Sequence, residues 1–443
     1  MKGMIQWLLA FFARRILLRH KPMVVAVTGS VGKTSAKNAI AAVLGAKFRV
    51  RSPIENYNNE FGVPLTIIGA TSPGKSLIGW LLVFLKAKGT WLLGDSSYPN
   101  MLVLEYGLDR PGDIKKLCRL ARPDVGVLTA ISPVHVEYFE SFERLIEEKG
   151  EIVKHLLPNG LAVLNGDDAN VLSTKETLSR DKHANVTKTV TYGFGEACDV
   201  RAEQYRIETR VGDPDGSFDL GEEFCAIHFD LVIGDERAPV VLRNLLGRGQ
   251  AYSALAAAAV GKHFGLTIDE IVAGLAALAP QPGRMRPIPG IKGCLLLDDS
   301  YNAAPASMVT ALEVLRQFEP PEGARRVVAL GKMAELGKYS ADEHRLLGIR
   351  VAEVADLLVC VGEEARDIRR GALEAGMDEA DIQVFAAAME AGRWLDFNVG
   401  KGDIVLVKGS QSARMEKVTK DLMAEPLRAS ELLVRQSGKW LET

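Results

Sequence analysis

One run of residues in this 443-residue chain is built for phosphate chemistry. Thr28-Gly-Ser-Val-Gly-Lys-Thr-Ser35 lies between a β-branched apolar run, Met23–Thr28, and a segment of helical pattern from Lys33 to about Ala46. Glycines there let backbone N–H groups turn inward on phosphate oxygens, and a helix N-terminus adds partial positive charge. Lys33 would reach the terminal phosphates, and the Thr34 hydroxyl could ligate Mg²⁺. The candidate nucleotide-binding residues are therefore Gly29, Ser30, Gly32, Lys33, Thr34 and Ser35. The spacing, Gly-x-x-Gly-Lys-Thr, is two residues shorter than the usual phosphate loop. The alternative is a glycine-rich turn with a chance Lys-Thr; the strand-to-helix setting favours nucleotide binding.

The rest of such a site must come from neighbouring strands, because ligands of open α/β sheets bind beyond the strands' carboxyl ends. Glu105 ends the apolar run 101–106, and His135 follows the run 124–131. Both face the phosphates if those strands are adjacent. A carboxylate there would hold Mg²⁺ and neutralise the transferring phosphoryl group. Glu105 as a helix cap or surface carboxylate, and His135 as a structural histidine, remain open.

These residues need a scaffold, and the pattern supplies one. Apolar runs at 23–28, 101–106, 124–131 and 161–165 alternate with helical stretches near 33–46, 114–121 and 141–156, which predicts a parallel, helix-covered sheet. Between about 187 and 242 shorter strands predict a small antiparallel section, and helices return at 250–264 and 268–278. PQPGRMRPIPG (280–290) reads as a domain boundary. Beyond it a second series begins, with strands at 294–299, 326–331, 357–362 and 403–409. The fold class is α/β: a P-loop parallel-sheet ATPase domain with a small antiparallel section, then a Rossmann-like α/β C-terminal domain. The expected divisions are 1–22, an apolar basic helix; 23–285, the ATP-binding domain; and 286–443, the C-terminal domain.

Composition bounds the partners. Lys and Arg number 54 against 56 Asp and Glu, a formal charge of −2 that excludes a dedicated nucleic-acid binder. Five widely spaced cysteines show no zinc spacing or disulfide framework, which fits inert buried thiols in a reducing cytoplasm. The N-terminal MKGMIQWLLAFFARRILLRH has no signal-peptide cleavage site, and Arg14 and Arg15 cut its apolar run short of a spanning helix. It is either a helix packed on protein or an amphipathic helix in a membrane surface, with Lys2, Arg14, Arg15, Arg19, His20 and Lys21 toward the headgroups. A second segment, 76–93, has the same character. Peripheral membrane contact through 1–20 and 76–93 is the expectation to test.

Several separated motifs carry a family likeness. TGSVGKTS (28–35), NYNNEFGVPLT (56–66), LEYGLDRPGDI (104–114), SPVHVEYFES (132–141), KGEI (149–152), PGRM (282–285), DDSYNAAPASM (298–308) and KGSQSARME (408–416) occur in that order. Together they resemble the ATP-dependent Mur ligases of peptidoglycan synthesis, most of all the D-alanyl-D-alanine-adding branch, from about Val24 to Val418.

The resemblance implies an amide ligase using ATP and Mg²⁺ on peptide or amino-acid substrates. A substrate carboxylate becomes an acyl phosphate, which an amine then attacks. By this likeness Lys33 stabilises the transferring group, and Thr34 with Glu105 holds one Mg²⁺. His135 and a carbamylated Lys149 hold a second; otherwise Lys149 is a solvated helix lysine. Arg284, Asp299 and Asn302 lie near the nucleotide, Asn58 and Asn59 near substrate, and Lys408, Ser410 and Arg414 at the amine pocket, unless the last three form an ordinary strand-to-helix turn.

The chain shows three departures and one smaller change, the first being that residues 72–100 look like an insertion between the second and third strands. Only 22 residues precede the P-loop strand, where the family carries a uridine-nucleotide-binding domain, so the apolar segments or a partner protein are expected to present the acceptor. The family's adenine-side pattern here reads Gly249-Gln250-Ala-Tyr-Ser253, leaving Gln250 to read the adenine edge. Lys332 stands where the family has an acid. A Mur-like ligase acting on a polyglutamate or cofactor precursor, and a regulatory ATP-binding subunit, are the alternatives. Localisation is expected to be cytoplasmic, at or near the inner membrane face.

Overall fold

In the computed structural model residues 2–53, 57–132, 139, 141–180, 186–209 and 223–441 are described. Two units divide the chain: Met1–Tyr205 with Phe229–Val240 and Gly249–Leu278, and Arg206–His228 with Val241–Arg248 and Ala279–Thr443.

The first unit opens with α1 (Lys2–His20), β1 (Met23–Thr28), α2 (Lys33–Gly45), β2 (Val50–Arg51), α3 (Gly62–Ile68), α4 (Leu77–Leu92) and β3 (Met101–Glu105). It continues through α5 (Asp113–Leu120), β4 (Val125–Leu128), α6 (Phe142–Lys154), β5 (Gly160–Asn165), α7 (Ala169–Arg180), β6 (Val186–Gly193) and β7 (Val200–Thr209). After β8 (Cys225–Ile233) and β9 (Glu236–Arg243) come α8 (Arg248–His263) and α9 (Ile268–Ala276). The sheet order is β2-β3-β1-β4-β5-β6-β7-β8-β9.

β1, β3, β4 and β5 are almost wholly buried runs, as parallel strands covered on both faces must be. β1 is flanked in parallel by β3 and β4, with Val27 opposite Glu105 and Thr28 opposite Leu128. This fixes Glu105 beside the end of β1, where the phosphate loop starts. The core around them unites α1, α3, α4, α5 and α6 through Leu9, Ile16, Ile67, Val83, Leu117 and Ile152. α2 and α9 meet at Gly274, where a Cβ would lie 2.7 Å from the Val43 Cα.

The region expected to be antiparallel is mixed. β6 follows helix α7, so it can enter beside β5 in parallel, and β7 also pairs parallel to it. β8 and β9, sheet neighbours joined by Gly234 and Asp235, have the two-residue connection that antiparallel strands alone can make.

The second unit contains β10 (Arg286–Pro289), β11 (Leu295–Asp299), α10 (Pro305–Arg316), β12 (Arg326–Gly331), α11 (Ser340–Ala352), β13 (Leu357–Val361) and α12 (Arg366–Glu374). Then follow β14 (Ile382–Phe385), α13 (Ala388–Asn398), β15 (Ile404–Lys408) and α14 (Glu416–Leu422). The order β10-β11-β15-β12-β13-β14 is parallel except for β10. The Pro-rich boundary stretch thus contains a strand, and as an edge strand β10 tolerates Pro287 and Pro289. All five cysteines are free and buried.

Candidate active site

The phosphate loop leaves β1 through Gly29, at φ 153, where a Cβ would lie 2.0 Å from Thr129 Oγ1. No other residue fits without displacing the loop after β4. Gly32, at φ 84, then starts α2 with no side-chain cap, and a helix N-terminus favours an anion. Thr34 and Ser35 lie in that turn. Ser30 is clamped to the loop after β4: its N–H donates to the Ala130 carbonyl, its hydroxyl donates to the Ser132 carbonyl at 2.9 Å, and its oxygen accepts from Ser132 N–H.

Two lysines converge on this loop. Lys33 Nζ donates to the Gly29 carbonyl at 2.9 Å and to Ser30 at 3.2 Å. Lys149, from α6, donates to the same Gly29 carbonyl at 3.0 Å. Lys149 is 3% exposed, so it is not the solvated helix lysine of the alternative reading. Burial first, and Lys33 second, push its amine well below the ordinary lysine range.

Thr34 Oγ1 donates to Glu105 Oε2 at 3.0 Å, and Asn58 Nδ2 donates to Glu105 Oε1 at 3.3 Å. The Thr34 hydroxyl and the buried Glu105 carboxylate form an oxygen pair of the kind a hard divalent cation takes. Asn59 is used locally, its Oδ1 accepting from Phe61 and Gly62 N–H at the start of α3. His135 lies outside the described residues, as does most of its loop. Among the described residues there is no cluster of three or more His, Cys, Asp or Glu able to hold a metal.

Gln250 is half-buried in the first turn of α8. Nearby Tyr252 donates to Asp167 at 2.9 Å and meets Phe194 edge-on at 5.0 Å; Asp167 also accepts from Phe194 and Gly195 N–H. Its neighbour Asp168 accepts from Ile131 N–H at 2.8 Å, while Asn170 donates to the Ile131 carbonyl. The pair Asp167-Asp168 thus anchors two loops of the site. The sequence signal for it, acidic residues just beyond the strand ending at Asn165, escaped the motif reading.

In the second unit, buried Lys408 ends β15 and forms an ion pair with half-buried Asp299, also donating to the Asn302 carbonyl at 3.0 Å. Asp299 accepts from Met285 N–H at 3.0 Å, and Arg284 stacks on Tyr301 with 4.2 Å to the ring centroid. PGRM, DDSYNA and the lysine of KGSQSARME therefore form one connected cluster. Beneath it, fully buried Asp298 accepts from Gly283 N–H and Thr419 Oγ1, and burial pushes its carboxyl up to about 6.

Arg414 is in the left-handed region at φ 56, with its Nε bonded to buried Glu416 at 2.6 Å and a terminal nitrogen bonded to the Trp440 carbonyl. Ser410 is buried, its N–H donating to the Lys332 carbonyl. Lys332, the departure from the family acid, pairs with Glu364 at 2.8 Å and holds that carboxyl below its usual range. Lys332, Gly362, Glu364, Ser412, Arg414 and Lys417 line a hollow at the carboxyl ends of β12, β13 and β15. This is where open α/β sheets take ligands.

Comparison with known proteins accords with this arrangement. The sequence profile of the Mur ligase middle domain matches residues 95–261, and that of the Mur ligase glutamate ligase domain matches 283–411. The chain is 31% identical over 403 residues to the UDP-N-acetylmuramoyl-tripeptide--D-alanyl-D-alanine ligase of Escherichia coli (strain K12), covering 90% of this chain and 76% of that protein. The chain belongs to the Mur ligase family.

Solved structures agree on the fold of this Mur ligase. MurF from Acinetobacter baumannii superposes with a TM-score of 0.74 at 25% identity, covering 95% of this chain and 80% of that one. The MurF ligase from Thermotoga maritima in complex with ADP gives 0.71 at 28% identity, covering 93% and 82%.

Proposed function

We propose that this Mur ligase joins D-alanyl-D-alanine to the free carboxylate of a muramyl tripeptide at the cost of ATP. The observation that carries the reading is the convergence of Lys33 and Lys149 on Gly29 beside the Thr34–Glu105 pair. The choice of amine and acceptor follows the name of the Escherichia coli relative.

The substrate carboxylate attacks the terminal phosphorus of ATP, forming an acyl phosphate and releasing ADP. The dipeptide amine then attacks the acyl carbon. The tetrahedral intermediate collapses to an amide, expelling inorganic phosphate, and the amine loses its proton. Lys33 and the N-terminus of α2 carry the charge on the transferring group. Thr34 and Glu105 would hold Mg²⁺, which would neutralise charge developing on the transferring phosphoryl group.

Lys149 fits a second metal role once carbamylated, with His135 as the other ligand. A neutral amine is what attacks CO₂, and burial favours that form of Lys149. The carbamate would supply the hard oxygen ligands that a lysine lacks. In the second unit, Lys332, Arg414 and Lys417 give the hollow a cationic lining suited to the dipeptide carboxylate. Asn58, Gln250, Arg284, Asp299, Asn302 and Ser410 are assigned supporting positions around nucleotide and substrates. Residues 23–285 then carry phosphoryl transfer and 286–443 the amine. We place the activity in the cytoplasm; among the described residues no helix is long and apolar enough to cross a membrane.

Phosphate release tests this reading. It should require ATP, a muramyl tripeptide and D-alanyl-D-alanine together, and be lost in Lys33→Ala. Release independent of the dipeptide contradicts it.

A further inference from the structure

α4 is apolar on two opposite sides. Trp80, Val83 and Ala87 are buried in the core, as any amphipathic helix would have it. Leu77, Ile78, Leu81, Leu82 and Leu85 recur at i, i+1, i+4, i+5 and i+8, which puts them on one stripe facing away from that core. They are 55–74% exposed. Leu92 and Leu93 extend the exposed apolar surface at the end of the helix. Scattered exposed leucines need no explanation, but a contiguous stripe does.

The neighbouring helix adds to it. Met4, Trp7 and Leu18 of α1 are exposed. Trp7 stacks on Phe11, and Phe11 meets Trp91 of α4 edge-on at 6.0 Å. Arg15 lies over both rings, at 5.3 and 5.5 Å from their centroids. Aromatic rings with Arg15 laid across them join the outer edges of the two helices.

Charge selects the occupant. Residues 1–21 and 71–94 together carry eight lysines and arginines and no aspartate or glutamate, within a chain whose formal charge is −2. On α4, Lys86 and Lys88 border the leucine stripe. Leucines and tryptophans rimmed by lysines and arginines are the chemistry of an anionic lipid surface. α4 is also unsuited to spanning: its 16 residues reach roughly 24 Å, and one side is already committed to the protein core.

We infer that the exposed faces of α4 and α1 seat this chain on an anionic phospholipid bilayer, with α4 lying in the membrane plane. The sequence leaves α1 either packed on protein or lying in a membrane surface, and gives 76–93 the same character. The structure shifts the main contact to α4, because Leu9, Ala13 and Ile16 of α1 are buried. The inference stands independently of the ligase reading.

Flotation with phosphatidylcholine vesicles, with and without phosphatidylglycerol, tests it on the full chain. The chain should float with the anionic vesicles, and high salt should weaken that binding. Leu81→Glu/Leu85→Glu should lower the bound-to-free ratio at least about tenfold with an unchanged thermal melt. If that variant misfolds, Lys75→Glu/Lys88→Glu should likewise weaken anionic binding while leaving the core untouched. Equal recovery in the unbound fraction with either vesicle overturns the inference, as does equal binding to both. A dimer that Leu81→Glu/Leu85→Glu dissociates, without vesicle binding, overturns it in favour of a second copy.

Discussion

Lys33 and Lys149 share one acceptor: both amines donate to the Gly29 carbonyl, at 2.9 and 3.0 Å. Lys33 belongs to the phosphate loop and Lys149 to α6, 116 positions later, yet one backbone oxygen holds both. Two ammonium groups so close repel, and the buried one yields its proton more readily.

A first prediction concerns that proton. The unfolded chain binds it up to the ordinary lysine range, whereas the folded chain releases it at lower pH. Stability in CO₂-free buffer should therefore rise with pH between those two values and level off above the ordinary one. Lys149→Met should flatten that rise in urea midpoints, and should lower ligase kcat by about 10²-fold. Added bicarbonate should raise the wild-type rate and leave the variant unchanged.

Glu105→Gln keeps the shape of the Thr34 and Asn58 contacts and removes the charge. The Mg²⁺ concentration for half-maximal phosphate release should rise by about 10- to 100-fold. Circular dichroism should be unaltered.

Asp298 gives the opposite pH slope. Its carboxyl is raised to about 6 in the folded chain from a model-peptide value of 3.8, so the folded state binds the extra proton between those values. Stability should fall as pH rises from about 4 to 6, by on the order of 3 kcal/mol from this group. Asp298→Asn should remove the slope, since its amide oxygen still accepts from Gly283 N–H and the Thr419 hydroxyl can reorient.

Much of this was legible in the chain. The β1–loop–α2 unit announces itself through Gly29, Gly32 and Lys33, and the parallel sheet through its unbroken apolar runs. The adjacency of Glu105 to the loop depended on β1 and β3 pairing, which the sequence could only pose as a condition. Other features are tertiary. Nothing near Arg414 says that Glu416 and Trp440 will engage it. Proline at 287 and 289 argued for a boundary, because an edge strand's tolerance of proline depends on which side goes unpaired. The role of Asp167 and Asp168 was hidden because their partners, Ile131, Phe194, Gly195 and Tyr252, are distant in sequence.

In the Lys408–Asp299 pair the lysine is buried and the carboxylate only partly so. Lys408→Met leaves that carboxylate without its counter-ion and should cost about 1–3 kcal/mol in urea unfolding. Asp299→Asn/Lys408→Met should recover part of that loss, because no lone charge remains in the site.

The central claim is that the substrate carboxylate is activated as an acyl phosphate. Turnover with muramyl tripeptide whose terminal carboxylate carries heavy oxygen, analysed by mass spectrometry of the products, tests it most directly. One labelled oxygen should appear in the inorganic phosphate for each amide formed, with none in the nucleotide. Label in AMP, or phosphate free of label, would contradict the account.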